Sequence, residues 1–277
     1  MTKRIAFQGE PGAFSHAAAH AVFPNDEALP CLTFEDTIAA VENGDADYGV
    51  VPVENSLYGR ITDIHHLLPA SGLFIVGEYY LRVEMNLLGI KGTKLGDIKT
   101  VQSLSVALGQ CRKFIQAHKF KTRNAVDTAG SAKEVAEKGD KSVGAIASRF
   151  AGELYGLDVI AENIEDESHN TTRFLVMSKR REEAPRNGTK VKTTFVFRVR
   201  NVPAALYKAM GGFATNGVNM TKLESYMIGG SFTATQFYAD IEGHPEDHNV
   251  KLALEELAFF TDHLRILGVY PAAAKEG

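Results

Sequence analysis

The property that most constrains this chain is a change of rhythm along it. Through residues 1–178 short apolar runs alternate with amphipathic segments, whereas after residue 192 the order becomes strand, helix, two strands, helix, strand. In the first part Ile5-Ala6-Phe7 reads as a strand that stops at Gly9-Glu10-Pro11-Gly12. A helix carrying Ala17, Ala18, Ala21 and Val22 follows, with Ser15 as its N-cap. Thr33, with Asp36 three positions on and Ile38-Ala39-Ala40-Val41 beyond, forms a capping arrangement in which each side chain satisfies the other residue's open N–H. Ser131 and Glu134 offer a second such pair, and Ser148 offers a cap after the strand-like Val143–Ala147. Parallel strands need crossover connections, so strands alternating with helices predict a mainly parallel α/β sheet.

Residues 179–192 break both patterns. Within 179–190 stand seven charges, one Pro and one Gly with no apolar periodicity, which reads as a solvated linker. Beyond it Phe195, Phe197 and Val199 alternate as a strand, and Pro203 suits a first helical position, where its missing N–H costs nothing. Leu206, Met210 and Phe213 then recur at helical spacing until Gly217, and strands follow over Val218–Met227 and around Phe237, Ala239 and Ile241, joined at Gly229-Gly230. Val250, Leu254 and Leu257 mark a second helix, and Leu264 to Tyr270 a closing strand. The βαββαβ order is ferredoxin-like.

Composition excludes several classes. The 30 Lys and Arg against 34 Asp and Glu leave a net charge of −4, unlike a dedicated nucleic-acid binder. At 44% hydrophobic and 23% charged, the chain is not disordered. Cys31 and Cys111 lie far apart, outside any C-x-x-C spacing, and read as reduced thiols of a cytoplasmic protein. Only three apolar residues follow the basic N-terminus, too few for a secretory core of about 7–15, and no apolar run approaches the roughly 18 residues of a membrane span. His16/His20 and His244/His248 each have i, i+4 spacing but no evident third ligand, so no metal is expected, and His65-His66 reads as a helix-surface element. No dinucleotide, nucleotide-triphosphate, esterase or zinc-protease motif is present.

Four clusters stand out. Gly9-Glu10-Pro11-Gly12-Ala13-Phe14-Ser15 joins a strand to a helix and reads equally as an anion site built of backbone N–H groups or as an ordinary turn capped by Ser15. Glu54-Asn55-Ser56 follows an apolar strand, where open α/β sheets bind ligands, or else Asn55 or Ser56 simply caps a helix. Ser103 and Ser105 follow the strand Thr100-Val101-Gln102, and capping explains either of them but not Gln110, two turns on. Ser168-His169-Asn170-Thr171-Thr172-Arg173-Phe174 leads into a strand, setting a hydroxyl beside a permanent cation.

Taken in order, Gly-x-Pro-Gly-x-Phe-Ser, Val-Pro-Val-Glu-Asn-Ser-x-x-Gly and Asn-x-Thr-Arg-Phe resemble the signature of prephenate dehydratases. Asn201-Val202-Pro203-Ala204-Ala205-Leu206 and Leu223-Glu224-Ser225 resemble the effector segments of that family's ACT regulatory domain, except that Ala204 stands where Gly is usual and Tyr226-Met227 where Arg-Pro is usual. The resemblance implies a catalytic region over 1–178 with two lobes (1–80 with 160–178, and 81–159) like a type 2 periplasmic binding protein, a linker over 179–192, and an ACT domain over 193–277. It implies conversion of prephenate to phenylpyruvate without a cofactor, on the way to L-phenylalanine, in a cytoplasmic homodimer or homotetramer. Thr172 is the implied donor to the leaving hydroxyl. Asn55, Ser103 and Gln110 orient the reactants, and Glu54 holds neighbouring donors. Arg173, Phe174, Ser56, Gly12, Ala13 and Phe14 contact or enclose substrate. Feedback by L-phenylalanine would engage Asn201, Leu206, Asn219, Met220, Thr221, Glu224 and Ser225. No mutase segment precedes residue 1, which implies that prephenate is made elsewhere. An arogenate dehydratase is the nearest alternative, and a non-catalytic amino-acid sensor a more distant one.

Overall fold

The computed structural model describes residues 2–200, 202–227 and 236–274. In chain order the elements are β1 (Arg4–Gln8), α1 (Phe14–Val22), β2 (Glu27–Cys31), α2 (Phe34–Asn43), β3 (Tyr48–Asn55), β4 (Gly59–Arg60), α3 (Thr62–Ala70), β5 (Phe74–Arg82) and β6 (Asn86–Gly89). Then come β7 (Thr100–Ser103), α4 (Ser105–Gln110), α5 (Arg112–Ala117), β8 (Lys121–Asn124), α6 (Thr128–Lys138), β9 (Val143–Ala147), α7 (Arg149–Tyr155), β10 (Asp158–Ala161) and β11 (Thr171–Ser178). The last are β12 (Val191–Val199), α8 (Ala205–Thr215), β13 (Met220–Tyr226), β14 (Gln236–Glu242), α9 (His248–Phe260) and β15 (Thr261–Pro271). Among the described residues no helix is long and apolar enough to cross a membrane.

The described chain forms two compact units, one of residues 2–61 and 79–174, the other of 62–78 and 175–274. Residues 62–78 and 175–178 are grouped with the second unit. The cause for 62–78 is pairing: β5 joins β15 in parallel, Gly268 against Ile75, and Arg265 donates to the carbonyls of Pro69 and Leu73.

The first unit holds two lobes. In one, β11, β3, β1 and β2 lie side by side, with β1 parallel to both β2 and β3 and with Ile5, Phe7, Val50 and Val51 buried between sheet and helices. In the other, the order is β10-β6-β9-β7-β8; β7 runs parallel to β8 and β9, while β6 and β10 are antiparallel. Leu87, Val101 and Ile146 fill its core. The second unit has strand order β13-β14-β12-β15 with antiparallel neighbours, the ferredoxin-like arrangement, and a core of Phe195, Phe197, Phe213, Phe237 and Leu257.

Local signals explain several boundaries. Thr33 and Asp36 form the expected reciprocal cap of α2, and Ser148 accepts from Ala151 N–H to open α7. Four expectations are corrected. The cap of α1 is Ala13, so Ser15 lies inside its first turn. Asp127 caps α6 by accepting from Gly130 N–H; an acceptor so placed starts the helix early, and Ser131 becomes an interior residue donating to the Asp127 carbonyl. α8 starts at Ala205 because Ala204 is left-handed (φ 60°), leaving Pro203 ahead of the helix. His65 is 2% exposed and stands edge-on to Tyr238, since it shares the buried face of α3 with Ile64 and Leu68; only His66 is exposed. The Gly229-Gly230 connection lies outside the described residues.

Candidate active site

β1, β2 and β3 run parallel, so Gln8, Cys31 and Asn55 end on one edge of their sheet. At that edge the Asn55 side chain is fully engaged. Its Oδ1 accepts from the N–H groups of Leu57 (2.9 Å) and Tyr58 (3.1 Å). That turns Nδ2 the other way, where it donates to Asn170 Oδ1 (2.7 Å) and Thr172 Oγ1 (2.9 Å). Ser56 brings the start of β11 to this point: its N–H donates to the Thr171 carbonyl, its Oγ accepts from Thr171 N–H, and its hydroxyl donates to the His169 carbonyl.

The direction of the Asn55–Thr172 bond decides what Thr172 can do. Because Oγ1 accepts, the bond leaves the hydroxyl proton of Thr172 to be donated elsewhere. A donor on an oxygen also stabilises negative charge developing there, which assists proton release. At 8% exposure Thr172 is almost enclosed but still touches the surface.

The neighbouring candidates take other roles. The Arg173 side chain is 2% exposed and meets Glu54 Oε1 at 2.9 Å. A cation inside a protein needs such a partner, and Glu54 is one that holds the guanidinium. Phe174 is buried in the core. Ser103 ends β7, is fully buried, and donates to the Ile146 carbonyl at 2.6 Å, which ties β7 to β9. Gln110 ends α4, and its carbonyl accepts from Asp166 N–H at 2.6 Å. Its side-chain Oε1 is buried without a hydrogen-bond partner. Such an atom costs about 1–3 kcal/mol and marks a site that a ligand can satisfy. Among the described residues no hydrogen bond joins Ser103 or Gln110 to the Asn55–Thr172 pair.

The Gly9–Ser15 loop lies between the lobes of the first unit. Tyr155 OH donates to the Pro11 carbonyl (2.6 Å) and Ser148 Oγ to the Gly12 carbonyl (3.2 Å). Phe14 packs against the core of the β6–β10 lobe. Gly12 has φ +93°, and a Cβ there would stand 3.2 Å from Ala151 Cα and Cβ, so the approach requires glycine. Two of the N–H groups read as an anion cradle are already used, Gly12's by His16 Nδ1 and Ala13's by the Glu10 carbonyl. His16 stacks on Phe7, with ring centroids 4.6 Å apart, and burial first, then His20, lowers its pKa. Among the described residues no cluster of three metal-ligating side chains occurs.

Asn170 opens the Asn-x-Thr-Arg-Phe motif, which by itself assigns it no role. The available signal was spacing: residues two apart on extended chain face the same side, so Asn-x-Thr places an amide beside a hydroxyl.

In the second unit Met220, Thr221, Glu224 and Ser225 of the expected effector residues lie on β13, Asn219 just before it, and Leu206 on α8. Leu206 and Met220 pack on the core of that unit. Asn219 Nδ2 donates to Glu242 (3.0 Å), Thr221 Oγ1 to the Asp240 carbonyl (3.4 Å), and Glu224 stands 3.6 Å from Lys222. Ser225 pairs with Phe237 across the ladder, and Asn201 lies outside the described residues.

The prephenate dehydratase family model matches residues 5–182. The chain is 52% identical over 269 residues to a bifunctional N-acyl-homoserine lactone acylase/prephenate dehydratase of Komagataeibacter europaeus, covering 97% of this chain and 96% of that one. It is 40% identical over 282 residues to the chloroplastic arogenate dehydratase/prephenate dehydratase 1 of Arabidopsis thaliana, covering 97% and 72%. A crystal structure of prephenate dehydratase in complex with L-Phe from Arthrobacter aurescens superposes with a TM-score of 0.86 at 29% identity, covering 98% of this chain and 93% of that one.

Proposed function

Because the chain belongs to the prephenate dehydratase family, we propose that it converts prephenate to phenylpyruvate, CO2 and water on the way to L-phenylalanine. The observation that carries this reading is the Asn55–Thr172 hydrogen bond, which leaves the threonine proton available. Prephenate is a dianion with one carboxylate and a hydroxyl on its ring and a second carboxylate on a pyruvyl side chain. As the C–C bond to the carboxylate breaks, its electron pair moves into the ring and the C–O bond to the hydroxyl breaks. Thr172 donates its proton to the departing oxygen to complete water and is reprotonated from solvent, and the gain of aromaticity supplies the driving force, so the reaction calls for no redox partner. Gln110 Oε1 has the acceptor capacity to take a hydrogen bond from the substrate. Asn55 fixes Thr172, while Glu54, Arg173, Ser56 and Ser103 hold the strands in place.

In the same reading the βαββαβ unit is an ACT domain that binds L-phenylalanine along β13 in a cytoplasmic homo-oligomer. The relative from Arthrobacter is described with L-Phe bound, which supports that assignment. The test is phenylpyruvate formation from prephenate by the purified chain, with and without phenylalanine. Absence of product at any enzyme concentration defeats the catalytic reading, and binding of phenylalanine without turnover would leave the sensor. Two relatives carry second activities in their names, so arogenate and an N-acyl-homoserine lactone belong in the same assay.

A further inference from the structure

We propose that Asn170 is a positioning residue for Thr172, acting through the Asn55 amide. The proposal rests on the dehydratase reading above. A side-chain amide can sit in two orientations half a turn apart. In the one observed, every hydrogen-bonding capacity of Asn55 is used: two backbone N–H groups on Oδ1, and Thr172 and Asn170 on Nδ2. In the other, Asn55 Oδ1 would meet Asn170 Oδ1 at close to the present 2.7 Å, oxygen against oxygen. The threonine hydroxyl would then donate to Asn55 and have no proton for the leaving group.

The Leu57 and Tyr58 N–H groups on one side and the Asn170 carbonyl oxygen on the other therefore together hold the orientation that frees the Thr172 proton. Asn170 is 1% exposed, so water is a poor substitute for it. Its backbone is held by Val83, whose N–H donates to the Asn170 carbonyl at 2.8 Å. Its own Nδ2 has no protein acceptor among the described residues. Asn170→Asp thus keeps the acceptor, loses a donor that has no protein partner among the described residues, and adds a negative charge.

The experiment compares kcat and KM for prephenate in wild type, Asn55→Ala, Asn170→Ala, Asn170→Asp and the Asn55→Ala/Asn170→Ala double variant, with thermal unfolding of each. Asn170→Ala is expected to lower kcat about 10²-fold with little change in KM, the cost of a misplaced reacting group. Asn170→Asp should recover most of that kcat and raise KM, because its charge repels a dianion. The double variant should turn over no more slowly than Asn55→Ala alone, since the second change acts only through the first. Wild-type kcat in Asn170→Ala, or losses that multiply in the double variant, overturns the proposal. Asn170→Asp keeps the side-chain shape and reports even if Asn170→Ala does not fold; a kcat as low as that of Asn55→Ala overturns the proposal as well. A wild-type chain that makes no phenylpyruvate removes the dehydratase reading and this proposal together, whereas an active wild type with multiplying losses removes this proposal alone.

Discussion

Thr172→Val is the sharpest perturbation of the site, because valine keeps the branched shape and replaces only the hydroxyl with a methyl. Two costs follow, and they are read by different assays. The chemical step loses its proton donor, and such donors contribute about 10²–10⁴-fold, or roughly 2.7–5.5 kcal/mol of barrier. Asn55 Nδ2 also loses an acceptor at 2.9 Å. A buried N–H left open costs about 1–3 kcal/mol, and each kcal/mol shifts Tm by about 2–4 °C for chains of 150–250 residues. Thr172→Val should therefore unfold several degrees early yet remain folded at 25 °C, with kcat down at least about 10²-fold. Thr172→Ser retains the hydroxyl and loses only the branch that restricts χ1, so kcat within about tenfold of wild type is expected. The measurement is phenylpyruvate formation at saturating prephenate beside a thermal scan. A folded Thr172→Val variant with nearly wild-type kcat would refute the reasoning.

Other outcomes follow from the same structure. Glu54→Ala removes an acceptor from the buried Arg173 guanidinium and should cost about 1–3 kcal/mol in denaturant unfolding; an unchanged midpoint would show that this ion pair adds nothing to stability. Gly12→Val meets both the positive φ and the 3.2 Å approach to Ala151, so a loss of about 1–3 kcal/mol is expected, and wild-type stability would count against the lobe contact. Burial, aided by Glu165 and Asp166, pushes the Cys111 thiol up to about 12 from 9.0. The unfolded thiol ionises first, so stability present below about pH 9 declines toward about pH 12, by up to about 1.4 kcal/mol per unit; Cys111→Ala should flatten that part of the stability curve, and native Cys111 should resist alkylation at pH 8. His16, whose pKa is lowered by burial, should titrate below 6.5 by NMR, and the stability it lends at higher pH should fade as pH drops below that value. A midpoint above 6.5 would contradict its role as acceptor for Gly12 N–H.

Much of the architecture was legible before any coordinates, because it rests on interactions within a few residues. The Thr33–Asp36 cap and the Ser148 cap are local hydrogen bonds written in residue type and spacing. The βαββαβ order of the second unit follows from periodicities of two and 3.6. Local signals failed where a competing one stood nearby. Ser131 looked like a cap until Asp127, one turn earlier, took the role, and Ser15 lost its place to the backbone of Ala13.

The candidate site divides along the same line. By itself the sequence determined that Asn55 ends a strand, that Thr172 opens one, and that Arg173 sits beside it. Tertiary structure decided which of these groups face one another. Asn55 and Thr172 are 117 residues apart, and Glu54 and Arg173 119 apart, so no local periodicity specifies those hydrogen bonds. Ser103 and Thr172 both looked like hydroxyls at strand ends, yet one is spent on the Ile146 carbonyl and the other keeps its proton. The physical reason is that a polar side chain's chemistry is set by whichever donors and acceptors packing brings within about 3 Å, and packing joins strands with no regard to their distance along the chain.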